Sequence, residues 1–147
     1  MRRIDKRISL EKNTWFHLAS NSGEQMLYCL KRMSEPCKEH VDNNFNPLSR
    51  ECVEEILPVK KKIVDYLMRS ERIVEDQDYE HIDALLAEEE AYKQKLSEMR
   101  RAQEDRIQMD LSQGLKVSLV YLNLLQETQE LLSDLRHYLR AFKRFQQ

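Results

Sequence analysis

The residues with the greatest capacity for chemistry in this sequence are three cysteines and four histidines, and their spacing is compatible only with a loose metal site. Cys37 and His40 are three residues apart, Cys29 lies two helical turns earlier on the same side, and Cys52 follows in the next segment. A zinc site needs four ligands that converge with tetrahedral geometry. Cysteines without diagnostic spacing serve more often as small buried apolar residues, so the sequence predicts no metal and no other cofactor here.

The remaining histidines give no basis for a catalytic site. His17, His81 and His137 have no partner at a diagnostic spacing, and the sequence contains no HExxH motif. A serine or cysteine nucleophile needs a base within hydrogen-bond reach and a turn that presents it. Neither can be assembled from this sequence, so we predict that the chain is not an enzyme, and we assign no catalytic or cofactor-binding residue.

Glu130 and Asp134 form a carboxylate pair one helical turn apart inside the most apolar segment. Two such carboxylates repel each other unless a cation or base neutralises them, which makes them the weak candidates for a metal ligand set. The alternative is a solvated stripe in which Arg136, His137 or a neighbouring helix balances the charge. The sequence favours the solvated stripe, and no metal ligand is assigned.

The composition excludes several classes of protein. The 147 residues carry 24 Lys and Arg against 26 Asp and Glu, a net charge of -2, whereas nucleic-acid binding calls for a positive field. Only 2 Gly and 3 Pro are present, too few for a β-rich fold or a phosphate-cradling loop. The odd number of cysteines, with no apolar span and no signal peptide, indicates a reducing compartment and predicts a cytoplasmic location.

Apolar residues recur at helical spacing along the whole chain. They predict four helices of about 4–41, 49–75, 79–111 and 115–145, separated by turns at 42–47, 76–78 and 112–114. Ser49 and Asp78 are the expected N-caps of the second and third helices, and Gly114 is free to adopt a positive φ. Pro36 should kink or end the first helix, because it removes one backbone hydrogen bond.

Short connections favour antiparallel neighbours, so the predicted fold is an all-α, up-down bundle of about four long helices in one domain, 1–147. The fourth helix has the widest apolar face, which includes Leu115 and Leu119, and should lie centrally with surplus apolar surface. On the third helix the charged positions, among them Glu88, Glu89 and Glu90, are expected to face solvent. Because the stripe of the first helix already includes its earliest apolar residues, the chain could also be part of a longer protein.

Both ends of the sequence are basic, and an up-down bundle would bring them together. Attraction to an anionic membrane surface is one consequence. The acidic turn between the second and third helices lies at that same end, so ion pairing within the protein would compete with attraction to the membrane. The cations are Arg2, Arg3, Lys6, Arg7, Arg136, Arg140, Lys143 and Arg144.

Three stretches carry a family resemblance. The segment 117–127 (VSLVYLNLLQE) resembles the last-helix signature of PhoU-like domains. The segments 15–40 and 135–141 resemble the C-terminal cytoplasmic region of bacterial PiT-type inorganic phosphate transporters, and the likeness extends over about 15–145. It implies a PhoU-like domain that regulates or assists phosphate transport. The E/D-x-x-x-D metal motif of that family would fall on Gln129 and Ser133 here, so its metal site is not carried over.

The resulting hypothesis is a non-catalytic regulatory or accessory domain of inorganic phosphate transport, at the inner face of the cell membrane. It would act by helix–helix contacts with a membrane phosphate transporter, either a separate protein or the preceding part of the same polypeptide. Two alternatives stay open. One is a stand-alone helical adaptor or homo-oligomer, and the other is a metal-binding helical bundle that uses Glu130 and Asp134.

Overall fold

The computed structural model describes the backbone of residues 2–43, 46–109 and 114–146, and the side chains within these ranges from residue 14 to residue 145. Four long α-helices make up nearly all of it: α1 (Arg2–Asp42), α2 (Arg50–Asp76), α3 (Ile82–Met109) and α4 (Leu115–Gln146). One 3-10 turn, Tyr79–His81, precedes α3, and these ranges contain no β-strand. The predicted all-α bundle of four helices is confirmed.

Cross-helix contacts fix the directions of the helices. Residue numbers rise along α1 as they fall along α4, because Phe16 contacts Phe145 whereas Arg32 binds Glu127. The same antiparallel relation holds between α2 and α3 and between α3 and α4. Its markers are the pairs Cys52–Gln103, Tyr66–Glu88, Asp83–Lys143 and Glu90–Arg136. α4 contacts all three other helices, most extensively α1, so its predicted central position is confirmed.

The helix ends follow from local chemistry, with one correction. The Ser49 hydroxyl accepts a hydrogen bond from the Cys52 amide at 3.2 Å, as expected of an N-cap. Asp78 precedes the 3-10 turn but makes no capping bond. Its carboxylate instead contacts His81 Nδ1 at 2.6 Å, so the predicted capping role of Asp78 is wrong.

Two residues with positive φ and one proline complete the account of the helix ends. Gln77 ends α2 at φ 54°, and Gly114 precedes α4 at φ 75°, as its lack of a Cβ allows. Pro36 does not end α1, which continues to Asp42. The predicted turn residues Asn44, Phe45, Ser112 and Gln113 lie outside the described residues.

The apolar core forms mainly where α2, α3 and α4 meet. α2 contributes the predicted stripe, and α3 and α4 supply most of the fully buried leucines. Its largest apolar members are Tyr66, Ile82, Leu85, Leu96, Tyr121, Leu125, Leu131, Leu132 and Leu139. From α1 the cluster includes Cys29, with Met26 packed against it. Burial of this kind is the dominant favourable contribution to folding.

One predicted position departs from the expected burial. Glu89 is only 1% exposed, so its predicted place on a solvated face is wrong. Gln103, for which no expectation follows from the sequence, is also buried. Leu115 and Leu119, predicted to belong to the apolar stripe of α4, are 62% and 52% exposed and contribute to the surplus apolar surface predicted for that helix. Leu119 lines an open groove beside Pro36 and His40.

None of the described helices contains an apolar stretch long enough to cross a membrane. The side chains of Arg2, Arg3, Lys6 and Arg7, predicted to form half of a basic end, lie outside the described residues. At the α4 half of that end, internal pairing occurs: Lys143 binds Asp83 at 3.1 Å, and Arg136 pairs with Glu90.

Candidate functional site

The structure separates the three cysteines instead of bringing them together. The Cys29 thiol donates to Asp134 Oδ2 on α4 at 3.2 Å, and Cys52 contacts Gln103 Oε1 on α3 at 3.7 Å. Cys37 is partly buried on α1. Across the described residues, no three His, Cys, Asp or Glu side chains are placed to hold a metal ion.

Cys29 has the environment of an inert thiol. It is fully buried, and this burial, with the Asp134 carboxylate beside it, raises its pKa to about 12. A thiol is nucleophilic only as thiolate. Arg32 donates to the Cys29 sulfur at 3.1 Å and to Glu127 at 2.9 Å, so this cluster is a polar cross-link between α1 and α4.

Glu130 and Asp134, the two weak candidates for metal ligands, have different surroundings. Asp134 is partly buried and accepts the Cys29 hydrogen bond, whereas Glu130 is exposed. The neighbouring residue Gln129, where the family motif would begin, forms hydrogen bonds with residues of α3. Its amide donates to the Lys93 carbonyl and the Ser97 hydroxyl and accepts from Arg100. An amide that makes three hydrogen bonds to α3 acts as a structural link between the helices.

The histidines are dispersed. His81 is exposed and paired with Asp78. The Asp78 carboxylate raises the pKa of His81, mainly through their hydrogen bond and secondly through its negative charge. His40 contacts the carbonyl of Asn46 at 2.7 Å and holds the turn after α1. His17 and His137 are exposed at the opposite end of α1 and on α4. The described residues contain no pairing of a histidine with a nucleophile.

Sequence inspection missed a second polar cluster, which joins α2, α3 and α4. Arg106 makes two hydrogen bonds to the Glu55 carboxylate, at 2.8 and 3.0 Å, and Tyr121 donates to the same carboxylate at 2.5 Å. Burial and the bond to Glu55 raise the pKa of Tyr121. All donors and acceptors in this cluster are engaged within the protein, so it cross-links the helices.

The free surface of α1 carries a second row of residues at helical spacing. The inner side of α1 has a row of residues spaced alternately four and three positions apart, and this row includes the positions buried against α4. Its members are Trp15, Ala19, Ser22, Met26, Cys29 and Met33. One residue further on, the same steps recur. We call this second row, Phe16, Ser20, Gly23, Leu27, Leu30 and Ser34, the outer seam of α1.

The outer seam combines three large apolar residues with two serines and a glycine, and it is largely exposed, although Phe16 at its start also contacts Phe145 of α4. Phe16, Leu27 and Leu30 are 53%, 68% and 46% exposed, and a Cβ added at Gly23 would meet nothing within 4 Å. Neither row contains a charged residue. Apolar residues repeating every 3.5 positions form the contact surface of one helix with another. α4 covers the inner row of α1, whereas the leucines of the outer seam remain exposed.

α2 has a shorter exposed apolar row of its own. Val53, Leu57, Val64 and Met68 share one side of the helix and are between 38% and 51% exposed. Lys60 lies within this row, so its apolar character is interrupted at the centre. The outer seam of α1 is consequently the better-formed candidate site.

No protein-family model, curated protein or solved structure matches this chain. The geometry and the sequence of the chain itself must therefore carry the functional argument.

Proposed function

We propose that this chain is a non-catalytic, PhoU-like regulatory or accessory domain of inorganic phosphate transport. It acts at the cytoplasmic face of the membrane by docking a helix of a membrane phosphate transporter on the outer seam of α1. The transporter is either a separate protein or the preceding part of the same polypeptide. The likeness of segments 15–40, 117–127 and 135–141 to phosphate-transporter tails supplies the identity of the partner.

The observation that carries the docking step is the second heptad-like row on α1. A surface helix with one partner needs one apolar stripe, whereas α1 has two adjacent stripes. The leucines of the outer seam, Leu27 and Leu30, remain exposed beside a glycine that leaves room for a close helix crossing. Covering a leucine fully contributes about 1.5–3 kcal/mol.

The polar clusters of the bundle support a role without bond-making chemistry. The Cys29 and Glu55 clusters are engaged in helix-to-helix hydrogen bonds. A catalytic site would instead leave a nucleophile, a base and a binding pocket in convergent positions. Both clusters therefore support a role in helix-to-helix contact.

The first test of this proposal is the coding context. The sequence immediately upstream, in frame or in the adjacent gene, should encode a membrane phosphate transporter. An upstream region without membrane segments would count decisively against the identity of the partner.

The second test addresses the docking surface. The chain would be co-expressed with that transporter, captured from detergent extract, and assayed for its effect on phosphate uptake by cells. The double variant Leu27→Asp, Leu30→Asp should weaken capture at least about tenfold, because about 1.4 kcal/mol of lost contact corresponds to that factor. It should also abolish the effect of the chain on uptake.

Tyr28→Asp provides the matched control. Tyr28 is 54% exposed, stands beside Leu27 in sequence, and lies outside the outer seam. Capture and uptake should be retained in this variant. Equal behaviour of the two variants, with both folded by circular dichroism, would remove the outer seam from the mechanism.

The alternative function, a self-associating bundle, is favoured by the same row of residues. Exposed large apolar residues lie on α1 and α2 as well as at the start of α4, where Leu115 and Leu119 are more than half exposed. A second copy could pair with the outer seam. Light scattering of the purified chain should then give a dimer mass that Leu27→Asp reduces to that of a monomer.

A further inference from the structure

A groove lies between the Trp15 end of α1 and the last turns of α4. The groove is open on one side and has a volume of about 850 Å³. Its walls include Trp15, Asn21 and Gln25 from α1, and His137, Arg140 and Arg144 from α4. By helical spacing, Asn21 and Gln25 flank the inner row of α1 on the side away from the outer seam. A pocket of this size accommodates an organic small molecule.

Trp15 fixes the position of one of the groove's cations. The Arg144 guanidinium carbon lies 5.8 Å from the centre of the partly buried indole ring. Stacking on an aromatic face holds a guanidinium in place through cation–π attraction. Its N–H groups point outward along the edge of the plane and stay available for an acceptor. Arg144 is therefore a pre-positioned donor.

Arg140 is the second cation, one helical turn before Arg144. It is exposed, and within the described residues it has no ion-pair or hydrogen-bond partner. Like charges at this spacing on a helix repel each other. An anion between the two guanidinium groups would relieve that repulsion.

The groove also contains acidic residues, and these are engaged within the protein. Asp83 accepts a hydrogen bond from Lys143 at 3.1 Å, and Asp134 accepts one from the Cys29 thiol at 3.2 Å. Among the described lining residues, the donors without a hydrogen-bond partner in the protein include the guanidinium groups of Arg140 and Arg144, the side-chain amides of Asn21 and Gln25, and the His137 ring.

We propose that this groove binds a phosphate-bearing molecule, with the phosphate held between Arg140 and Arg144. Paired guanidinium forks match the several acceptor oxygens of a phosphate group, each able to accept charge-assisted hydrogen bonds. The amides of Asn21 and Gln25 and the exposed part of Trp15 contact the remainder of the ligand. This inference does not depend on the docking of α1 to a transporter.

The test uses the fluorescence of Trp15, the only tryptophan in the chain. The chain would be titrated with inorganic phosphate, with adenosine monophosphate, with adenosine, and with phosphatidylcholine vesicles prepared with or without phosphatidic acid. Probes with a terminal phosphate group, which are inorganic phosphate, adenosine monophosphate or vesicles that contain phosphatidic acid, should change the emission saturably. Adenosine should not, nor should vesicles of phosphatidylcholine alone, because choline esterifies their phosphate and offsets its charge. The variant Arg140→Ala should weaken binding about tenfold or more, because the phosphate loses its charge-assisted hydrogen bonds to that guanidinium group.

Arg101→Ala is the matched control, because Arg101 is an exposed arginine of α3 that does not line the groove. Arg140→Gln, which keeps a long polar side chain, checks that the loss of binding follows the charge. A response to phosphatidic acid vesicles alone would assign the phosphate to a lipid headgroup, and a response to the soluble probes would assign it to a small molecule. No saturable change with any probe, or equal weakening by Arg140→Ala and Arg101→Ala, would overturn the proposal.

Discussion

The two flanks of α4 are packed in different ways. On the flank toward α1, the buried residues are small, Ala19, Ser22 and Cys29, and polar bonds to Asp134 and Glu127 join the helices. On the flank toward α2 and α3, large apolar residues fill the space. The first arrangement sets a close helix distance, whereas the second supplies most of the buried apolar area. The difference indicates that α1 is held against α4 mainly by the close fit of small residues, whereas α3 is held mainly by the burial of large apolar side chains.

The largest effect should come from the apolar flank. Leu96 on α3 is 0% exposed, so Leu96→Ala removes buried methylene groups and leaves a cavity. We expect it to lower the free energy of unfolding by about 2–5 kcal/mol, measured by urea denaturation. The matched variant on the other flank, Met33→Ala, truncates a partly buried residue and should cost less. A larger loss from Met33→Ala would reverse the comparison.

Glu89 is the exception within the apolar flank. Both its oxygens are buried without a hydrogen-bond partner, and the cations nearest to it are engaged by the adjacent glutamates: Arg69 binds Glu88, and Arg136 pairs with Glu90. Burial therefore raises its pKa to about 7. The other groups that face it are Tyr66 on α2 and Lys93 on α3.

The sign of the pH effect follows from proton uptake. Between the unfolded pKa of 4.5 and the folded value of about 7, the folded chain holds a proton at Glu89 that the unfolded chain has lost. The contribution of Glu89 to the free energy of unfolding is therefore greatest below pH 4.5. It falls by about 3 kcal/mol as the pH rises to about 7. Glu89→Gln should abolish this fall and be more stable than the wild type at pH 8. Parallel unfolding curves for both proteins across this range would contradict the assignment.

The close distance between α1 and α4 can be tested by adding volume. Ala19 is 8% exposed, so Ala19→Leu should force the two helices apart and lower the free energy of unfolding by about 1–3 kcal/mol. Ser20→Leu, one residue further on the open side of α1, is the control and should change stability little. If both variants unfold at the same urea concentration, α1 is not held by close fit.

The smallest effect should come from the ion pair of the α1 flank. Arg32 is largely exposed, whereas the Glu127 side chain is 10% exposed. Arg32→Ala should lower the thermal midpoint less than Ala19→Leu does, because solvent already screens one partner. The exposed pair of Lys31 with Glu35 supplies the control, Lys31→Ala. An effect of Arg32→Ala that exceeded the packing variants would show that charge holds this flank.

The sequence predicted the helices well, because their limits depend on local signals. The Ser49 cap, the turn after α2 and Gly114 are each determined by a few neighbouring residues. The interior was predicted less well. Glu89 stands at the helical spacing of the apolar stripe of α3, between Leu86 and Leu96, yet its charge assigned it to solvent. The burial of Gln103 further along α3 was not predicted.

The sites depended on contacts that spacing along one helix cannot show. The pairing of Cys29 with Asp134 and the groove between Trp15 and Arg144 join residues more than a hundred positions apart. They exist because α1 and α4 run antiparallel in one register, and that register is a property of the assembled bundle. The outer seam of α1 was visible in the sequence as steps of three and four, but only the bundle shows which row is left open.

Gly23 affects both the stability of α1 and the space that is available at its surface. Glycine inside a helix is less favourable than alanine by about 0.5–1 kcal/mol, and the space around its α-carbon would admit a methyl group without any clash. Alanine would thus suit the isolated chain better, while glycine suits an arrangement in which another backbone crosses at that turn. In the docking that we propose, Gly23 would let a partner helix cross α1 closely, and α1 would then lie in the interior of the assembly instead of at its surface.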